Sequence, residues 1–425
     1  MKIILQKTRF LEKLIFVFVL TCAFSAAHAE DMARSLYKKN SEYLYQIKVV
    51  ELVSNKKSSI GSGFLVSANG LVATNYHVIS SYIQNPGKYR IEFIAQNNER
   101  SDLTVEDIDV VNDLALLKSD ISSETFLELS PEMPGNGEFI YSLGNPQDLG
   151  SAVVPGTYNG YIASSFYKRI HFTGSLNPGM SGGPVLNQAG TVIGINVATS
   201  GNQISYLISV NKLKALMDEY VTRKMPPKDF NNRIHEQLIA NQKKLMDNIL
   251  SADWGKTSLG DTEVLSKLSE FVSCWGTQKD QKKEDKYSAV SIDCQMKEDI
   301  FIDRFFNTGK VGYQYKWLQS ISLNPVQFYS LIERFYARVF SGNRAEKDDV
   351  HPYKCNEAFI SGPDQRVVFC SRAYKDYAGL YDVVLVSTTV HKNDRALLSY
   401  FSMSGIEKDP ALRFAERFLG ETKWN

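Results

Sequence analysis

The residues best suited to chemistry lie in Leu176-Asn177-Pro178-Gly179-Met180-Ser181-Gly182-Gly183-Pro184-Val185. A serine hydroxyl is a weak nucleophile until a neighbouring base takes its proton. The charge that develops on an attacked carbonyl oxygen needs donors, and backbone N–H groups can supply them. Glycines on both sides of Ser181 let a carbonyl approach that backbone closely. Taken alone, the run also fits a plain hairpin turn. A base is offered by His77 in Val72-Ala73-Thr74-Asn75-Tyr76-His77-Val78, which follows Gly61-Ser62-Gly63-Phe64-Leu65-Val66. An acid is offered by Asp113, which heads the apolar run Leu114-Ala115-Leu116-Leu117-Lys118. There its carboxylate is shielded and can be aimed at an imidazole. Asp102, Asp107 and Asp109 are rival acids, but none of them heads an apolar strand.

These residues sit among short strands separated by turn residues. The pattern predicts strands at 45–52, 63–66, 71–74, 91–95, 114–118, 139–143, 192–197 and 204–209. Turn signals stand at Ala68-Asn69-Gly70, Asn85-Pro86-Gly87, Gly135-Asn136-Gly137 and Gln188-Ala189-Gly190. Many short strands with regular turns indicate an all-β sandwich or barrel. Apolar spacing at Leu213, Leu216, Met217 and Val221 predicts a helix over 212–223. Met225-Pro226-Pro227-Lys228 then interrupts the chain, since Pro-Pro cannot continue a helix. The expected organisation is a leader at 1–29, a β domain at 30–224, a linker at 225–229 and an α+β C-terminal domain at 230–425. In the last, helices are expected at 233–250, 263–272, 325–340 and 410–419, and strands at 367–369, 381–390 and 396–403.

The order His, Asp, Ser within one β region resembles the trypsin-like peptidases, most closely their HtrA/Deg branch. The residues that carry the resemblance are the glycine-rich strand at 61–66, Ala73-Thr74-Asn75-Tyr76-His77-Val78, Asp113-Leu114-Ala115-Leu116-Leu117-Lys118 and Asn177-Pro178-Gly179-Met180-Ser181-Gly182-Gly183. It spans about Gln46 to Leu216. It implies a chymotrypsin-like double β-barrel and a serine endopeptidase acting on polypeptides through an acyl-enzyme. Ser181 would be the nucleophile, His77 the base and then the acid, and Asp113 the holder of the imidazole tautomer. The N–H groups of Gly179 and Ser181 would form the oxyanion hole. Ser175 and Leu176 would border the primary pocket, and Asn196, Val197 and Ala198 would pair with substrate backbone. No metal or organic cofactor is implied. No acid occupies the expected pocket positions, which favours an apolar P1 residue; His171 is a lesser candidate for reading an acidic one. Met180 replaces the acid that binds a newly cut N-terminus in zymogen-derived relatives, so activation of that kind is not expected. No PDZ domain is recognisable after residue 225.

Two other readings bear on the same residues. An esterase of the α/β-hydrolase type would use Gly179-Met180-Ser181-Gly182-Gly183 as its nucleophile turn, but that fold needs a helix directly after the serine. Here Pro184, Val185, Thr191, Val192 and Ile193 follow. The other is an inactive or latent trypsin-like fold that serves as a binding or scaffold module.

Composition sets the outer limits. Hydrophobic residues make up 43% and charged residues 22% of 425, and the formal net charge is +1. That balance suits a globular chain and gives no single-sign field of the kind nucleic acid attracts. Lys2, Lys7, Arg9 and Lys13 precede an apolar run, Leu14–Phe24, and then Ala27-His28-Ala29. This reads as a secretory signal peptide cut after Ala29. The run is far shorter than the ~20 residues that span a bilayer, so stable membrane insertion is not expected. Thr21 before Cys22 argues against a lipid-anchored cysteine. An exported chain belongs in the periplasm or the extracellular space. Its remaining cysteines, Cys274, Cys294, Cys355 and Cys370, are an even set suited to two disulfides. Short loops close easily, which favours 274–294 and 355–370. Trp254, Trp275, Trp317, Tyr313, Tyr315, Phe328 and Tyr336 are expected in a core, and Lys279–Lys286 is expected as a solvated loop. No chemical motif stands out in residues 228–425.

Overall fold

A computed structural model describes residues 32–199, 201, 204–278, 283–337, 343–360 and 364–424. The expected leader lies outside the described residues, as does the first half of the mixed-charge loop at 279–286.

Two closed six-stranded antiparallel barrels form the first half. Barrel 1 contains β1 (Leu44–Glu51), β2 (Lys57–Leu65), β3 (Leu71–Thr74), β4 (Tyr89–Ile94), β5 (Arg100–Asp109) and β6 (Leu114–Lys118). Barrel 2 contains β7 (Phe139–Gly144), β8 (Ala152–Tyr161), β9 (Ile170–Phe172), β10 (Pro184–Leu186), β11 (Val192–Thr199) and β12 (Ser205–Ser209). Helix α1 (Tyr76–Gln84) follows β3, and α2 (Val210–Arg223) follows β12.

Strand pleating explains why the seam-lining strands are apolar on both faces. Successive side chains point to opposite sides. Leu65, Val72, Ala115 and Leu117 fill barrel 1. Their neighbours Phe64, Ala73, Leu114 and Leu116 meet Tyr141, Leu143, Leu186, Ile195 and Ile208 of barrel 2. The run 114–117 is therefore apolar because one face fills a barrel and the other fills the seam between barrels. Barrel 2 has its own interior around Ile140, Phe172, Val185, Ile193 and Leu207.

The C-terminal half begins with α3 (Phe230–Ser251). Strands β13 (Gly255–Leu259), β14 (Thr262–Lys267), β15 (Val272–Gln278), β16 (Tyr287–Met296), β17 (Ile300–Phe301), β18 (Asn307–Thr308) and β19 (Val311–Ser320) follow. Then come α4 (Pro325–Tyr336), β20 (Lys354–Ile360), β21 (Gln365–Ala373), β22 (Tyr381–Thr389), β23 (Arg395–Ile406), α5 (Lys408–Gly420) and β24 (Lys423–Trp424). Seven of these strands make one sheet in the order β15-β16-β19-β23-β22-β21-β20. On one face Tyr313, Tyr315 and Phe401 pack on Phe414 and Phe418 of α5. On the other, Leu318, Ala396 and Leu398 receive Phe328, Leu331 and Ile332 of α4. Cys274–Cys294 and Cys355–Cys370 are both joined as disulfides. Each ties an edge strand to the strand beside it.

Several expectations are corrected. Residues 263–272 form β14, a turn and the start of β15, not a helix. Val264, Leu265, Leu268, Phe271 and Val272 have helical spacing and are all buried. The two-residue turn Gly260-Asp261 instead folds β14 back on β13. Trp275 is 45% exposed, with the Lys297 ammonium over its ring.

The two halves share a core. Helix α3 lays Ile234 and Leu238 against the barrel 1 cluster that includes Ile108 and Val110. Gln237 donates to Ile108 O and accepts from Val110 N. Asp107, with no side-chain exposure, is ion-paired with Arg223 of α2 and Arg233 of α3.

Candidate active site

Asp113 is built to hold a histidine. It directly precedes β6 in the left-handed backbone region, φ +61°, which aspartate tolerates better than most residues. The preceding turn is closed by Asp109, whose carboxylate accepts from Asn112 N at 2.9 Å and Asn112 Nδ2 at 2.6 Å. Burial pushes the Asp109 carboxyl up, against these bonds. Asp113 Oδ2 then meets His77 Nδ1 at 2.7 Å, and Oδ1 accepts the backbone N–H of His77 at 2.9 Å.

The second bond has a helical origin. His77 lies in the first turn of α1, where backbone N–H groups lack partners within the helix. The N-cap Asn75 makes no capping bond with its side chain; its Nδ2 instead donates to Asp113 O at 2.8 Å. Asp113 thus takes the capping role from outside, and a carboxylate at a helix N-terminus also opposes the helix dipole favourably. Burial pulls the His77 imidazole down, but the charge and hydrogen bond of Asp113 outweigh it. Arg169 opposes them, and the net pKa is raised above the ordinary histidine value.

Ser181 sits in a turn locked by both barrels. Ser62 of β2, fully buried, donates from Oγ to Gly179 O at 2.7 Å and accepts from Asn145 N at 2.8 Å. Its N–H donates to Ser181 O at 2.7 Å. Gly179 and Gly182 have φ +95° and +83°. A Cβ on Gly182 would lie 2.2 Å from Ser62 O and 2.9 Å from Asn75 N, so only glycine lets this turn press against the segment before His77. Met180 is buried in the barrel 2 core, and its N–H closes the turn on Asn177 O. The N–H groups of Gly179 and Ser181 take no backbone acceptor among the described residues. Ser181 Oγ donates to Val197 O at 3.3 Å.

The five expected substrate-binding positions divide. Asn196 is fully buried, and its amide braces the serine turn through Ser142 Oγ, Leu143 O and Met180 O. Its N–H donates to Gly183 O and its carbonyl accepts from Gly182 N. This corrects its expected place beside substrate backbone: its groups are taken internally. Val197 is the residue left over where the β11–β12 register shifts between Asn196/Leu207 and Ala198/Tyr206. Such a bulge frees backbone groups from the ladder, and Val197 lines a cavity with His77 and Asp113. Leu176 is packed in the barrel 2 core and Ser175 is exposed. His171 stands on β9 opposite Tyr206, with Nε2 buried and unpartnered among the described residues.

The rival acids have other partners. Asp102 lies 3.8 Å from Arg90, Asp107 holds Arg223 and Arg233, and Asp109 holds Asn112. Sequence reasoning missed Ser62, Asn75 and Asn145. The first two lie inside the quoted motifs, but their partners come from distant segments. It also missed Glu298 and Phe301, which arrive from the C-terminal half.

Residues 61–195 match the family described as "Trypsin-like peptidase domain". Among curated proteins, the chain is similar to Serine protease HTRA4 of Homo sapiens, 32% identical over 184 residues, 41% of this chain and 37% of that protein. It is also similar to human Serine protease HTRA3, 30% identical over 190 residues, 42% of this chain and 41% of that one. The chain thus spans about two-fifths of the length of these relatives. A solved serine endoprotease from Yersinia pestis aligns with TM-score 0.40 and 23% identity, covering 45% of this chain and 68% of that one. Within the double-barrel region, residues 61–195 thus match a trypsin-like peptidase domain, and the chain is similar in sequence to HtrA serine proteases.

Proposed function

We propose that the protein is a serine endopeptidase that cuts polypeptides through an acyl-enzyme on Ser181. The observation that carries this reading is the two-bond clasp of Asp113 on His77, beside a serine turn with two unengaged N–H groups. In this reading the Ser181 hydroxyl turns from Val197 O toward the imidazole and attacks the carbonyl while His77 takes its proton. Asp113 keeps the proton on Nδ1, so that Nε2 faces the nucleophile, and it stabilises the imidazolium that forms. Gly179 and Ser181 N–H groups stabilise the oxyanion. His77 then protonates the leaving amine, and water repeats the sequence to release the acyl group. Apolar P1 residues are preferred.

The reading extends to the whole chain. Residues 30–224 form the peptidase unit, 225–229 a linker and 230–425 a C-terminal α+β unit packed against it. Residues 1–29 export the protein to the periplasm or beyond, where its two disulfides persist. Among the described residues no helix is long and apolar enough to cross a membrane.

One observation favours a second reading, a latent site: Ser181 Oγ is bonded to Val197 O. A fluorophosphonate probe with casein digestion separates the two. Labelling and cleavage in wild type, both lost in Ser181→Ala, support the endopeptidase; no labelling of the wild type supports latency.

A further inference from the structure

Beside His77 lies a cavity of about 490 Å³ whose two sides come from different halves of the chain. One side carries His77, Asp113 and Val197 of the barrels. The other carries Ile300 and Phe301 of the C-terminal half. The Phe301 ring meets the His77 imidazole edge to face, with centroids 6.2 Å apart and planes at 77°.

The segment that presents Phe301 is fixed at both ends. Upstream, Glu298 accepts Ser165 Oγ at 2.5 Å and the N–H groups of Phe166 and Tyr167 at 2.9 and 3.4 Å. Downstream, Ile302 O accepts the hydroxyl of Tyr76, the residue before His77, at 2.9 Å. Ile300 and Ile302 are each 1% exposed and anchor the backbone between. Phe301 pairs with Asn307 in the short β17–β18 ladder. The ring is therefore held in place by a framework that touches both barrels.

The direction of a bound chain follows from the site. A carbonyl between Ser181 Oγ and the Gly179 and Ser181 N–H groups sends its acyl side past the bulged carbonyl of Val197. Side chains of an extended peptide alternate in direction. With the P1 side chain turned into barrel 2, the P2 side chain turns back toward His77 and Phe301. The charged groups lining that space are already engaged. Asp113 holds His77, Glu298 holds the 165–167 turn, and Asp299 has Lys310 and Asn307. Arg169 donates to Asn112 O, and the Lys297 ammonium lies over Trp275. The greater part of the wall left to meet a P2 side chain is apolar, supplied by Val110, Val111, Ile162, Val197, Ile300 and Phe301.

We infer that Phe301, supplied from outside the peptidase domain, is a specificity-determining wall of the P2 subsite and selects substrates with an aliphatic residue at P2. This rests on the endopeptidase reading. The C-terminal half then completes the substrate cleft.

The test is a fluorogenic peptide library, mixed at every position except P2, cleaved by the full chain and by Phe301→Ala. The labelling rate with a small fluorophosphonate is measured on the same samples. The wild type is expected to favour Leu over both Gly and Glu at P2 by about tenfold in kcat/KM, the scale of an apolar pocket contact. Phe301→Ala should bring the Leu/Gly ratio close to one, a change much larger than any change in the labelling rate, and Phe301→Leu should restore most of the ratio. Glu298→Ala, which releases the segment, should lower the ratio as well. A ratio unchanged in Phe301→Ala overturns the inference, and so does a preference for Glu. A labelling rate that falls in step with peptide cleavage also overturns it, because the ring would then position His77 rather than contact substrate. If the wild type neither labels nor cleaves, the endopeptidase reading itself fails and takes the inference with it.

Discussion

Asp113 binds one residue twice, through its side chain and through its backbone, so it sets both the tautomer and the position of His77. Asp113→Asn keeps the size of the group but can favour the wrong tautomer. It is expected to lower kcat by about 10⁴-fold, the size of loss that the wrong tautomer causes in a Ser-His-Asp triad, measured on a fluorogenic peptide. Asp113 also raises the His77 pKa above its ordinary value, and catalysis requires the neutral imidazole. Activity should therefore fall, as pH drops, through a midpoint above the ordinary histidine pKa, and residual activity of Asp113→Asn should show that midpoint displaced downward. The linked effect on stability runs the other way. A raised folded-state pKa stabilises the fold fully below the unfolded value, and this contribution is lost as pH rises through the folded one. At the same scale, Ser181→Ala should abolish probe labelling and leave the thermal midpoint within a few degrees of wild type, by calorimetry.

Elements carry the constraints that single residues cannot. The serine turn can press against the start of α1 only because Gly182 has no side chain and takes φ +83°. Gly182→Ala should cost at least ~1–2 kcal/mol from backbone handedness alone, with probe labelling lost, as read by urea denaturation and labelling together. The helices α2 and α3 are joined to β5 through Asp107, whose carboxylate has no exposure and faces Arg223 and Arg233. Replacing both arginines by Met leaves a buried charge without a partner. A loss of about 3–5 kcal/mol is expected, again by denaturant midpoint. Legibility also divides at this scale. Strands with apolar runs, such as β3, β6 and β7, were readable from their residues. Strand β5, Arg100-Ser101-Asp102-Leu103-Thr104-Val105-Glu106-Asp107-Ile108-Asp109, was not, because it is largely polar and its buried Asp107 is satisfied by Arg223 and Arg233, more than a hundred residues along the chain. Helix α1 was hidden for a related reason: its N-terminal N–H group is capped by Asp113 and not by a neighbour in sequence.

Over the whole molecule, the C-terminal half is packed onto the peptidase barrels through one continuous core and through the Glu298 and Tyr76 bonds. Its large sheet ends in β15 and β20, each paired within that sheet along one side alone. Disulfides clip both, β15 to β16 and β20 to β21. Mass mapping of the unreduced protein should return peptides joined at Cys274–Cys294 and Cys355–Cys370. Removing the second bridge by the paired change to Ser should cost about 2–4 kcal/mol, by thermal unfolding with and without reductant.

By itself the sequence determined an all-β first half and offered His77, Asp113 and Ser181 as candidates, because each lies in a local run whose residue types are dictated by its own strand or turn; the double barrel followed from the resemblance those runs carry. It also indicated two local cysteine pairs, since short separations favour closure. The tertiary structure decided what depends on contacts between distant segments. It showed that Asn196 braces the serine turn, that Ser62 stitches that turn to barrel 1, and that residues 263–272 form a strand, a turn and the start of another strand. It also brought Phe301 to His77. Local periodicity records which residues are buried; it does not record against what, and the walls of this cleft come from segments more than two hundred residues apart.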